Sequence, residues 1–247
     1  MTEYEPISVR HGRDRTLAAC IFDVDGVLLA SPHERAWREA LVGLADPARL
    51  TTEVYQACVA GKPREAGALA ALKALGVPNP DREVAVYAER KQQRLEELIE
   101  AGAVEAYPDA LRLVQTLLAL GWPLAVASSS KNANGMLQPV RLADGSSLID
   151  AFRANVCGRD LPRGKPDPAI FLLAAAELHI APSRCLVVED APAGIQAARA
   201  GDMAGLGIAR QNDAELLQAA GADLVVTSLD EVAVDALAEG RLGRRTS

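Results

Sequence analysis

From Tyr107-Pro108 onward the chain alternates strand-length apolar runs with helix-length segments, and this alternation constrains the fold more than any other feature. The spacing predicts a helix over Asp109–Leu120, a strand over Leu124–Ala127 and a helix near Asn132–Arg141. A helix over Pro168–Leu178, a strand over Cys185–Val188 and a helix over Ala193–Ala200 follow. The series ends with strand Ala204–Ile208, helix Ala214–Ala219, strand Leu224–Val226 and a last helix from Glu231. Successive parallel strands have to be joined by crossovers, so a βα repeat of this kind implies a parallel sheet with right-handed connections. An earlier run, Leu17–Val24, has the length and apolar character of a buried strand and stops at acidic residues and Gly26. Apolar residues make up 49% of the chain but aromatics only 4%, which suits helices packed on a sheet better than an all-β sandwich. The expected class is α/β, with a Rossmann-like core.

Between Pro32 and Ala101 the pattern is helical with no convincing strand: His33–Leu44, Thr51–Ala60, Arg64–Leu75 and Arg82–Glu100. The expected organisation is therefore a core interrupted after its first strand. Residues 1–31 form its first part, 32–103 an inserted helical cap and 104–247 the rest, with linkers near Ala30–Pro32 and Gly102–Tyr107.

A formal charge of −7 argues against a nucleic-acid surface, since phosphate backbones need a basic field. The basic run Arg10–Arg15 reads as a solvated lead-in without a function. Four cysteines, Cys20, Cys58, Cys157 and Cys185, lack metal-ligand spacing and read as small buried hydrophobes of a reducing compartment. No signal-type apolar segment opens the chain, and no run reaches the roughly 18 apolar residues that a bilayer span takes. No membrane partner and a cytoplasmic location are expected.

Acidic and hydroxyl groups fall at the ends of expected strands: Asp23 and Asp25, then Ser128–Ser130, then Glu189-Asp190. In an open parallel sheet the carboxyl ends of neighbouring strands meet at one crevice, so these groups can share a site. Gathered carboxylates repel unless neutralised, and an all-oxygen set suits a hard divalent cation such as Mg2+ rather than zinc. Read alone, Asp23-Val24-Asp25-Gly26 is equally an ordinary acidic turn or helix cap. Lys165, between the prolines of Gly164-Lys165-Pro166-Asp167-Pro168, is the candidate counter-cation; alone it is also an exposed lysine in a Pro-rich turn. Two nucleotide motifs fail. Gly158–Lys165 has one residue too many for a phosphate-binding loop and a proline after the lysine, and Gly201, Gly205 and Gly207 straddle a strand instead of following one.

Taken in order, IFDVDGVL, VASSSKN, RGKPDP and VVEDAPAG resemble the four motifs of the haloacid-dehalogenase superfamily, and most closely its β-phosphoglucomutase-like subgroup. That resemblance implies a phosphoryl-transfer enzyme for a small phosphorylated metabolite. Asp23 would be the nucleophile that becomes an aspartyl phosphate, and Asp25 the general acid/base. Ser128 and Lys165 would stabilise the transferring group, and Asp23, Asp25 through its carbonyl, Asp190 and Glu189, directly or through water, would form the Mg2+ site. His33, Trp37, Arg64, Lys91, Ser129, Ser130, Lys131 and Asn132 match positions facing a sugar phosphate. Trp37, with Val42 at helical spacing, also reads as cap core. The sequence departs from the subgroup at Ala30, where an aspartate is usual, and in a shorter step from there to His33. A phosphatase is the leading reading and a phosphohexomutase, which the matches at Arg64, Lys91, Ser130 and Asn132 favour, is the alternative; the presence of Asp23 and Asp25 speaks against a non-catalytic binder. A monomer or weak dimer is expected.

Overall fold

The computed structural model describes residues 16–245. The basic run Arg10–Arg15 lies outside them. In chain order the elements are β1 Ala19–Phe22, β2 Leu29–Ala30, α1 His33–Glu39, α2 Thr52–Cys58, α3 Arg64–Ala74, α4 Pro80–Glu100 and β3 Glu105–Ala106. Next come α5 Pro108–Ala119, β4 Leu124–Val126, α6 Ala133–Leu137, β5 Ala154–Asn155, α7 Ala169–Leu178, β6 Cys185–Glu189, α8 Pro192–Ala200, β7 Ala204–Ile208, α9 Ala214–Ala220, β8 Leu224–Val226 and α10 Val234–Ala238.

Six strands form one parallel sheet in the order β5-β4-β1-β6-β7-β8. Strand β1 is central and wholly buried, as its uninterrupted apolar run requires. The two-residue side-chain period divides each strand between two faces. Cys20 and Phe22 join Leu124, Val126, Leu186 and Val188 in one cluster with α5 and α6. Ala19 and Ile21 join Ala125, Cys185 and Val187 in a second cluster with α7 and α8. From β1 the sheet extends one way through β4 and β5 and the other way through β6, β7 and β8, so the strand order reverses beside β1. A crevice for a ligand opens at such a point, beyond the carboxyl ends of the strands.

Helices α1–α4 lie between β2 and β3 in sequence and carry their own cluster, including Trp37, Leu41, Leu50, Leu72 and Tyr87. The Tyr87 hydroxyl donates to the Trp37 carbonyl at 2.9 Å, and the two rings stand 5.1 Å apart. The stretches expected to be plain linkers pair instead. Leu29 stands opposite Ala106 and Ala30 opposite Glu105 in an antiparallel ribbon.

Other differences have local causes. The last helix begins at Val234, not Glu231, because Ser228 and Glu231 cap a 3-10 turn over Leu229–Glu231. The edge strand β5 is two residues long, too short to leave a periodic signal. Of the four cysteines, Cys20, Cys157 and Cys185 are buried, but Cys58, in the last turn of α2, is partly exposed. Among the described residues no helix is long and apolar enough to cross a membrane.

Candidate active site

Asp23 follows β1 directly, and its backbone N–H donates to the Val188 carbonyl of β6 at 3.0 Å, so the sheet itself fixes the start of the acidic loop. The carboxylate is buried, and Lys165 Nζ donates to its Oδ1 at 2.6 Å. Lys165 reaches it from the loop before α7, with a cis Lys165–Pro166 peptide and the Phe171 ring 4.9 Å from the ammonium. The same ammonium donates to Glu189 Oε1, while Glu189 Oε2 accepts from the Ala191 N–H at 3.0 Å. Both Glu189 oxygens are thus engaged within the protein. Burial disfavours the Lys165 ammonium, but Asp23 and Glu189 outweigh it and hold the group charged.

Asp23, Glu189 and Asp190 each place an oxygen within 4.8 Å of the others. Burial pushes the Asp23 carboxyl up to about 8, against the pull of Lys165 and with Glu189 and Asp25 adding to the rise. Asp190 is raised too, by burial first and then by Glu189 and Asp23. One lysine does not neutralise this cluster, and its all-oxygen donors are those a Mg2+ ion takes. Gly26, at φ +81°, lets the loop pass close to Asp190: a Cβ there would fall 2.0 Å from Asp190 Oδ2. Only glycine fits that approach and that conformation.

Asp25 faces a different set of groups. Ser128 Oγ donates to its Oδ2 at 3.4 Å, whereas its buried Oδ1 has no hydrogen-bond partner. His33 Nε2 stands 3.5 Å from that oxygen, and Lys91 Nζ lies 3.1 Å from His33 Nδ1. Burial lowers His33 to about 4, with Lys91 pushing the same way and Asp25 opposing, so the imidazole is neutral at pH 7. Burial likewise lowers Lys91 to about 8. A chain of contacts therefore runs from α4 through the first residue of α1 to the second aspartate.

A cavity of about 370 Å³ lies between the sheet's carboxyl edge and the helical block, and the expected site residues Asp23, Asp25, Asp190, His33, Arg64 and Lys91 line it. Ser128, Ser129, Ser130, Lys131 and Asn132 line it from the loop after β4. The Ser130 N–H donates to Ser128 Oγ at 3.0 Å, and the Asn132 side chain exchanges hydrogen bonds with Gln92 of α4 at 3.2 and 3.4 Å. Trp37 borders the cavity yet belongs to the helical core, and the Lys91 ammonium stands 5.0 Å from its ring. Lys131 is exposed and pairs with Asp160 at 2.9 Å, and Arg64 stands 3.9 Å from Glu89. Lys165 and Glu189 are buried just behind the lining, where they act on Asp23. Sequence reasoning missed Tyr55, Gln56 and Arg210, which also face the cavity. Of these only Arg210, at the carboxyl end of a parallel strand, carried a positional signal.

A family model for haloacid dehalogenase-like hydrolases matches residues 17–202. The chain belongs to that family. It is 33% identical to a β-phosphoglucomutase of Mycobacterium tuberculosis, over 90% of this chain and 93% of that protein. It is 30% identical to hexitol phosphatase A of Escherichia coli, over 87% and 92% of the two chains. The crystal structure of an archaeal β-phosphoglucomutase from Pyrococcus sp. strain ST 04 superposes with a TM-score of 0.71 at 32% identity, covering 89% of this chain and 96% of that one. These relatives place the chain in the β-phosphoglucomutase-like subgroup and make it an enzyme of phosphatase or phosphomutase type.

Proposed function

We propose that the protein is a Mg2+-dependent phosphatase for a small phosphorylated sugar or related metabolite, working through a phosphoryl group carried on Asp23. The observation that carries this reading is the contrast between two aspartates on one loop. Asp23 is gripped by Lys165, while Asp25 leaves a buried oxygen without a partner at the cavity. Neighbouring carboxyls in different surroundings suit nucleophile and acid/base roles respectively.

In the first step an Asp23 oxygen attacks phosphorus, the bond from phosphorus to the substrate oxygen breaks, and protonated Asp25 gives its proton to that oxygen. In the second, Asp25, now a carboxylate, takes a proton from a water molecule. The resulting hydroxide attacks the phosphorus, and the carboxylate of Asp23 leaves. Lys165 and Ser128 contribute positive charge and a hydroxyl donor near the transferring group. Asp23, Asp190 and the Asp25 carbonyl would hold Mg2+, with Glu189 behind them; when bound, the ion offsets the charge of the carboxylates and the phosphoryl oxygens. Residues 32–103 would act as a cap, with Arg64 and Lys91 offering cations to the substrate.

A phosphohexomutase is the second reading, favoured by the contacts that tie Asp25 to the helical block through His33 and Lys91. Closure that excludes water would let a sugar hydroxyl accept the phosphoryl group instead. The test is a Mg2+-dependent assay over a panel of sugar phosphates, including β-glucose 1-phosphate with a trace of bisphosphate, scoring free phosphate and isomer together. Free phosphate without isomer supports the phosphatase; isomer without phosphate supports the mutase. Asp23→Asn should abolish both while the circular dichroism stays native, and full turnover in that variant would refute a covalent route.

A further inference from the structure

The loop that bears Asp25 is held by a cavity-lining residue that follows another strand. Arg210 lies two residues after the end of β7. Its Nη1 and Nη2 donate to Asp109 Oδ2 and Oδ1 at 2.8 and 3.0 Å, a two-pronged pairing. The remaining donors turn to the acidic loop: Nε to the Gly26 carbonyl at 3.3 Å and Nη2 to the Val27 carbonyl at 3.4 Å. The guanidinium stands 3.9 Å from the centre of the Tyr107 ring.

Asp109 is itself immobilised. Its Oδ2 accepts from the Leu229 N–H at 2.8 Å and from Ser228 Oγ at 3.2 Å, and its Oδ1 accepts from the Ala110 N–H at 2.9 Å. An anion fixed by α5 and by the segment after β8 thus orients a cation whose free edge grips two carbonyls immediately after Asp25. Gly26 and Val27 aim their carbonyl dipoles at one place, which is unfavourable without a cation there. Gly26 is also where the loop passes against Asp190, so a shift of its plane moves both carboxylates relative to each other.

We propose that Arg210 is a positioning residue for Asp25, setting the orientation of the 25–27 loop without touching the reacting atoms. This rests on the reading of Asp25 as the acid/base. Lysine cannot replace it, because the charge would remain while the planar fork and the ring stacking would be lost.

The experiment is a double-mutant cycle of Arg210→Ala and Asp25→Asn, with Arg210→Lys and Asp109→Asn alongside. Each variant is assayed for kcat and KM on the fastest substrate of the sugar-phosphate panel and checked for native circular dichroism. Arg210→Ala should lower kcat by about 10- to 100-fold, as displacement of a reacting group by about 1 Å does, with KM changed less than about threefold. Added methylguanidine should restore part of kcat, Arg210→Lys should stay impaired, and Asp109→Asn should show a smaller loss in the same direction. In the Asp25→Asn background, Arg210→Ala should have no further effect on kcat, because there is no acid/base left to position. Equal losses in both backgrounds would overturn the proposal, as would a fully active, folded Arg210→Lys. Should Arg210→Ala fail to fold, Arg210→Lys and Asp109→Asn decide the matter by the same criteria. An active Asp25→Asn would instead refute the acid/base reading, a result distinct from an inactive Asp25→Asn beside active Arg210 variants.

Discussion

Gly164→Ala tests whether the helical block must sit where it does for catalysis. An added methyl would fall 2.0 Å from Pro63 Cγ and 2.4 Å from its Cδ, where carbon atoms prefer about 3.5–4.0 Å, so the two loops must separate by about 1.5 Å. Pro63 immediately precedes Arg64 and α3, and nearby Gly61 already packs a Cβ position 3.2 Å from Ala191, so the separation widens the seam beside the cavity. Misplacement by about 1 Å can cost about 100-fold in rate, or about 2.7 kcal/mol of transition-state stabilisation. Strain relieved at a seam leaves the two cores intact, so the melting temperature should move by less than about 4 °C. The assay pairs kcat/KM with calorimetric melting. Gly135→Ala serves as control, since a methyl there meets nothing within 4 Å. A kcat/KM for Gly164→Ala within threefold of wild type would refute a catalytic role for this contact. A collapse in melting temperature would refute the claim that the strain escapes through the seam.

Mg2+ should raise the melting temperature more at pH 8 than at pH 5. The Asp23 carboxyl is raised to about 8 in the folded protein against about 4 unfolded, so its stabilising contribution is full below about 4 and lost as pH rises through about 8. A cation relieves that loss; equal shifts at both pH values in scanning calorimetry would contradict it. Gln56→Leu should raise the melting temperature by about 2–4 °C, because it removes a buried side-chain oxygen that has no partner, at about 1 kcal/mol. A lower melting temperature would mean the amide is satisfied in solution.

The strands and most helices were legible because their periods run for several residues. Val187 and Val188, for example, fall on opposite faces as alternation requires. The acidic groups could be located because each ends a strand. The β2/β3 ribbon was not legible, since two residues per strand carry no period and the partners lie far apart in sequence. The same holds for Asp109 and Arg210. Asp109 opens a predicted helix and Arg210 follows a predicted strand, but only the sheet order brings the two together. Trp37 lies in the helical core as its spacing suggested, whereas Val42, read as core with it, is exposed.

The β2/β3 ribbon also bears on how such a protein can change over evolution. The chain passes into the helical block after Leu29–Ala30 and comes out of it at Glu105–Ala106 on the paired strand of the ribbon, about 5 Å away. At the ribbon, everything inserted between those points occupies no more width than a hairpin turn. Helices can be lengthened, deleted or exchanged there without moving Asp23, Lys165 or Asp190. On the proposed function, the helical block that would meet the substrate and the sheet that would perform the chemistry are therefore free to diverge at different rates within one gene.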